Sequence, residues 1–262
     1  MAGINKVSLI SIVLAAHCCT LLLYAQPSIS QATLKEQGEK TEEVSTEQMR
    51  QMLEAKSAMV FDARPFKEYA VSHIPGAVNV SAKPGTSMSL YISDIHEIGR
   101  LLNGNRSAKI VLYCNGPFCG KSKRLAAELV ADGYDDVRRY QLGIPVWRAL
   151  GGVTQIELSG IRYVFTNDRT AVFIDARDAA EFKVGNALGA KNLPLSLVKA
   201  GKDVGEVKLA KDDGRLPMED HNTRIVVFGK SGEQARAVAE ALTKEAFQNV
   251  SFYNGSFEQL KP

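Results

Sequence analysis

The chain has 262 residues, 45% of them hydrophobic and 23% charged, with 32 Lys and Arg against 29 Asp and Glu. Those proportions are globular and exclude wholesale disorder, a collagen-like chain and a multi-span membrane protein. The net charge of +3 is spread without Lys/Arg clusters, so no nucleic-acid partner is expected, and four cysteines are too few for a disulfide scaffold.

Residues 1–32 read as an export signal. Lys6 precedes an uncharged apolar run, Val7 to Tyr24, and small residues stand at two cleavage positions, Ala25 and Ala32. The run is slightly short for a spanning helix, so cleavage is expected over retention of an N-terminal anchor, with no membrane association afterwards. Neither Cys18 nor Cys19 follows a small residue, which argues against a lipoprotein signal. A periplasmic or secreted location follows.

Thr33 to Glu43 has one apolar residue, Leu34, and is expected to be a mobile tether. Ser45-Thr46-Glu47-Gln48 ahead of Met49, Met52 and Leu53 is the signature of a capped amphipathic helix. Ala58 to Phe61 reads as a buried strand ending at Asp62, and Lys109 to Tyr113 as another. A turn-rich stretch, Cys114-Asn115-Gly116-Pro117-Phe118-Cys119-Gly120, leads into a helix over Ser122 to Asp132 with Leu125, Ala126, Leu129 and Val130 on one face. Val137 to Tyr140 is a further strand, and Pro145 to Leu150 a short helix closing at Gly151-Gly152. Strands alternating with helices predict an α/β fold with a parallel sheet covered on both faces.

The plan then repeats. Asp62-Ala63-Arg64 returns 113 positions later as Asp175-Ala176-Arg177, Glu68-Tyr69 as Glu181-Phe182, and Gly76-Ala77-Val78-Asn79 as Gly189-Ala190-Lys191-Asn192. Ile110 to Tyr113 matches Ile225 to Phe228 at 115, and Tyr140 matches Tyr253 at 113 again. Ordered blocks separated by small indels mark two copies of one domain, here placed at residues 44–152 and 153–262.

Asp62-Ala63-Arg64 with Glu68-Tyr69, then His73-Ile74-Pro75-Gly76-Ala77-Val78-Asn79, then a cysteine at a strand end before a helix, resembles the rhodanese family of sulfurtransferases, in tandem over nearly the whole mature chain. The resemblance implies three-layer α/β/α domains, a persulfide on the loop cysteine, and passage of its outer sulfur to a nucleophile. Better known tandem members carry the reactive cysteine in the C-terminal copy, and this chain reverses that order.

Chemistry points to the same residue. A cysteine reacts as its thiolate, and a place between a strand end and a helix N-terminus sets backbone N–H groups and the positive end of the helix dipole beside Cys114. Asn115, Gly116, Pro117, Phe118, Gly120, Lys121 and Ser122 would then cradle the oxyanion of a thiosulfate-like donor, with Lys121 as a point charge. The acceptor is a thiol, cyanide or a protein. The loop departs from the family pattern: Ser122 lies eight residues past Cys114, the arginine is missing and Cys119 sits inside, a widening that leaves room for phosphate or arsenate. Cys119 is a candidate resolving thiol, reset by a dithiol reductant. An inward-facing N–H cradle and a Cys114–Cys119 disulfide exclude one another, and the sequence leaves open which is adopted.

In the second copy Gly229 replaces the cysteine and Gln234 the arginine, so that copy is expected to be a structural partner without a nucleophile. Asp62, Arg64 and Glu68 recur there, which assigns them a structural ion-pair or capping role. His73 is expected to brace a loop, and Trp147 and Tyr140 to be core or cleft-wall aromatics. His96 and His221 lack partners at ligand spacing, so neither metal nor cofactor is implied. Two alternatives to an exported sulfurtransferase stay open: a dithiol redox protein cycling a Cys114–Cys119 disulfide, and a non-catalytic binding protein.

Overall fold

The computed structural model describes residues 28–81 and 95–261. The export signal therefore lies almost wholly outside the described residues. Among those residues no helix is long and apolar enough to cross a membrane.

The first half runs β1 (Glu42–Glu43), α1 (Thr46–Glu54), β2 (Met59–Asp62), α2 (Phe66–Val71), β3 (Val78–Asn79), α3 (Ile95–Leu101), β4 (Ile110–Tyr113), α4 (Gly120–Ala131), β5 (Val137–Tyr140) and α5 (Gly143–Ala149). Its strands form one parallel sheet in the order β1-β5-β4-β2-β3. The second half repeats this with β6 (Thr154–Ile156), α6 (Leu158–Asn167), β7 (Val172–Asp175), α7 (Ala179–Val184), β8 (Lys191–Asn192), α8 (Gly205–Asp212), β9 (Ile225–Phe228), α9 (Gly232–Lys244) and β10 (Val250–Tyr253), in the order β6-β10-β9-β7-β8.

Strand β4 shows why the layers form. All four of its residues are buried, and the period-2 alternation sends Ile110 and Leu112 into one cluster with Leu125, Ala126 and Leu129 of α4. Val111 and Tyr113 go to the opposite face, with Met49, Tyr140 and Trp147. Both faces are thus covered by helices, as a continuous apolar parallel strand requires. Helix α1 starts at the predicted cap: Ser45 Oγ accepts from Gln48 N and Gln48 Oε1 from Ser45 N. Tyr140 and Trp147 are core aromatics.

Two expectations are corrected. Residues 33–43 are not a free tether: the Glu43 carboxylate accepts from Leu34 N and Glu36 N, Glu42 and Glu43 pair with β5 as an edge strand, and Glu36 ion-pairs with Arg139 and Lys123. Helix α4 begins at Gly120, with Cys119 at the cap, and not at Ser122, so Gly120 and Lys121 belong to the helix and not to the loop.

The halves meet through α2 and α6. His73 and Gln155 exchange backbone hydrogen bonds of 2.9 and 2.8 Å, and Glu157 N donates to Ala70 O at 2.8 Å. Gly160 permits this approach, because a Cβ there would lie 2.0 Å from Ala70 O. His73 stacks on Tyr69, and its Nδ1 donates to Tyr69 O at 2.9 Å, so it braces the junction. Burial pushes its pKa from 6.5 down to about 4, against the opposing pull of the Tyr69 carbonyl and Asp62.

An unfolded chain therefore takes up this proton at a higher pH than the folded one. The His73 contribution to stability is complete above the unfolded value and is lost as pH falls from 6.5 to about 4. The loss should approach roughly 3 kcal/mol. Unfolding free energies of the parent and His73→Gln between pH 7 and pH 4 check this: the parent should lose more, and parallel curves would contradict it.

Candidate active site

Cys114 follows the last residue of β4 and is 2% exposed. Its carbonyl accepts from Ile144 N at 3.2 Å, which fastens the loop to the start of α5. Gly143 makes that contact possible, with φ +64 and a backbone so close that a Cβ would sit 2.4 Å from Gly116 N and 2.5 Å from Cys114 O.

The structure joins Cys114 to Cys119 in a disulfide, with Cα atoms 6.1 Å apart. The loop between them is a closed turn. Cys119 N donates to Gly116 O at 3.0 Å, so this N–H is spent inside the loop and not turned on an anion. Asn115 Nδ2 donates to Glu68 Oε2 at 2.5 Å, and Pro117 O accepts from Gln141 Nε2 at 3.1 Å. Phe118 projects fully into solvent at the tip. Gly120 is exposed, Lys121 half-buried and Ser122 buried in the first turn of α4. That turn contains no acidic residue, which leaves the positive end of a 12-residue helix uncompensated beside the cysteines.

Asp62, Arg64 and Tyr113 lie directly beneath. Arg64 Nη2 reaches Asp62 Oδ2 at 2.5 Å and Ser72 O at 2.6 Å; the Tyr113 hydroxyl donates to Asp62 Oδ2 at 2.6 Å and accepts from Ile74 N at 3.1 Å. Burial, reinforced by the Asp62 charge, holds the Tyr113 pKa well above 10.0, so the hydroxyl stays a donor. The second half repeats the pair: Arg177 Nη2 lies 2.6 Å from Asp175 Oδ2 and 2.7 Å from Gly185 O. Its presence in a copy without cysteine makes this a structural element. Glu68, by contrast, touches the loop itself, and in the second copy Glu181 faces Lys230 at 3.5 Å.

The second loop is closed chemically. Phe257 N donates to Gly229 O at 2.9 Å, as Ile144 does to Cys114, but Gln234 Oε1 folds back to accept from Lys230 N at 2.8 Å. A Cβ on Gly229 would meet that oxygen at 2.6 Å, so the Gln234 side chain occupies the space a cysteine would need. Among the described residues no three His, Cys, Asp or Glu side chains are grouped to hold a metal. Sequence reasoning missed Gln141 and Gly143, whose contacts with the loop are purely tertiary.

A cysteine at the carboxyl end of a central parallel strand, facing a helix N-terminus, in one of two duplicated three-layer domains defines a class of protein. The family model described as rhodanese-like domain matches residues 45–150 and 165–261, and the chain belongs to that family as a tandem member. It is 30% identical over 93 residues to a Schizosaccharomyces pombe protein whose name assigns it, provisionally, as a mitochondrial thiosulfate sulfurtransferase, covering 35% of this chain and 64% of that one. It is 32% identical over 98 residues to an HTH-type transcriptional regulator of Mycobacterium tuberculosis, covering 37% and 38%. The chain thus spans less than two thirds of either relative. Among solved structures, thiosulfate sulfurtransferase from Pseudomonas aeruginosa aligns over 85% of this chain and 45% of its own, at 19% identity and TM-score 0.35. A 3-mercaptopyruvate sulfotransferase from Escherichia coli aligns over 83% and 99%, at 22% identity and TM-score 0.34.

Proposed function

We propose that the chain is an exported sulfurtransferase that moves a sulfane sulfur from a thiosulfate-like donor to a nucleophilic acceptor through a persulfide on Cys114. The observation that carries this reading is the placement of Cys114 between β4 and the uncompensated N-terminus of α4, in the copy whose loop holds a sulfur. With the loop reduced, the Cys114 thiolate attacks the outer sulfur of the donor. A sulfur–sulfur bond forms at Cys114, the donor's own bond breaks, and sulfite leaves with the electron pair. An acceptor thiolate or cyanide then takes the outer sulfur and releases the Cys114 thiolate.

The disulfide supports a role for the second thiol. Cys119 within bonding reach of Cys114 can attack the inner sulfur of the persulfide, expelling hydrosulfide and leaving the Cys114–Cys119 disulfide seen here. Two electrons from a dithiol reductant, itself oxidised to a disulfide, restore the pair. The same geometry favours the second reading, a dithiol redox protein, and Cys119→Ser separates the two. The variant should still form the persulfide from thiosulfate, gaining one sulfur atom by intact mass, and should hold it longer than the parent. Equal decay rates would reduce Cys119 to a packing residue, and no added sulfur in either protein would favour the redox reading.

A further inference from the structure

Strand β5 contains a charge that a central α/β strand does not ordinarily hold, Arg139, and Gln141 follows the strand directly. Arg139 is 0% exposed, and its place in the second half is taken by Phe252. Burying a guanidinium is costly unless it is paired, and here Glu36 and Thr41 come from the segment before the first domain and Gln141 from just past the strand end. Arg139 Nη1 donates to Glu36 Oε2 at 2.9 Å and to Gln141 Oε1 at 2.8 Å, and its Nε donates to Thr41 Oγ1 at 2.8 Å. Glu36 also pairs with Lys123 in α4, the helix whose N-cap is Cys119.

Gln141 is the link to the sulfur chemistry. A guanidinium has only donors and a proline carbonyl only an acceptor, so the Gln141 amide has a single satisfying orientation, with Oε1 toward Arg139 and Nε2 toward Pro117 O. Pro117 lies between the two cysteines. The turn that brings Cys119 to Cys114 is thus held at Pro117 by the residue following β5 and closed by Cys119 N on Gly116 O.

We propose that Gln141, oriented by Arg139 and Glu36, is a positioning residue that holds the Cys114–Cys119 loop in its closed, disulfide-ready turn, and that residues 33–43 act as a strap maintaining this arrangement. Reduction lets the two sulfurs move apart to non-bonded contact, and the Pro117 carbonyl moves off Gln141. The Gln141 hydrogen bond therefore favours the disulfide over the dithiol. The inference rests on the reading of this loop as the reactive one, but its test needs no sulfur donor, so failure of sulfur transfer and failure of this inference are distinguishable.

The test equilibrates the full chain with defined ratios of reduced and oxidised dithiothreitol, followed by alkylation and intact mass. Gln141→Glu keeps an acceptor for Arg139 and removes the donor to Pro117. Gln141→Leu removes both contacts without adding a charge. Each should shift the equilibrium toward the dithiol by about three- to tenfold, the worth of one hydrogen bond. Thermal melting run in parallel gives the structural cost. If both variants stay within about twofold of the parent equilibrium, whatever their melting temperatures, Gln141 does not position the loop. If Gln141→Leu fails to fold, the Gln141→Glu shift alone decides.

Discussion

Replacing Cys114 with serine should reduce thiocyanate formation from thiosulfate and cyanide to background and abolish the added sulfur in intact mass. Serine is nearly isosteric, and the Cys114 backbone carbonyl accepts from Ile144 N and lies against Gly143, contacts that the substitution leaves in place. The fold should therefore survive, with the loss confined to chemistry. A serine hydroxyl cannot carry a sulfane sulfur under these conditions, so the expected loss is complete and not graded. Turnover like that of the parent would overturn the mechanism and move the search for a nucleophile elsewhere in the chain.

The largest expected effect on stability is at Asp62. In Asp62→Asn the shape is kept, but Arg64 becomes a buried cation without its counter-charge, and the Tyr113 hydroxyl loses its carboxylate acceptor. Removing one member of a buried, hydrogen-bonded pair costs about 3–5 kcal/mol, a large part of what an ordinary domain has in hand. Trp147 is the sole tryptophan and sits in the core of the first half, so its fluorescence in a denaturant series reads that domain directly. The matched change, Asp175→Asn, should destabilise the second half by a similar amount while Cys114 still accepts sulfur. A first-half loss below about 1 kcal/mol would show that Arg64 finds another partner and that the pair is not a structural requirement.

Much of this molecule was legible in its primary structure, for reasons that are local. The run Ile110 to Tyr113 is apolar at every position, which only a strand covered on both faces tolerates. The Ser45 to Gln48 box caps α1 with atoms three residues apart. The duplication is a matter of order and spacing, and it set what recurs apart from what does not: Asp62 and Arg64 recur as Asp175 and Arg177 with the same mutual ion pair, whereas Cys114 does not recur. Position alone also marked Cys114, because strand end and helix start are neighbours in sequence.

Tertiary structure decided what depends on partners far apart in the chain. Residues 33–43 read as a tether because they are polar, yet their docking is set by Arg139, 103 positions beyond Glu36, and a charged residue inside a strand says nothing of its partner until the sheet is built. The loop's state was likewise undecided, since Cys114-Asn115-Gly116-Pro117-Phe118-Cys119 is compatible with an open cradle or a closed turn. Gly143 and Gln141, which reach it from the start of α5 and from the turn before that helix, stand with the closed one. Apolar periodicity and capping are encoded within a few residues, whereas the pairing of a buried charge and the shape of the Cys114–Cys119 loop are set by whichever surfaces the fold brings together.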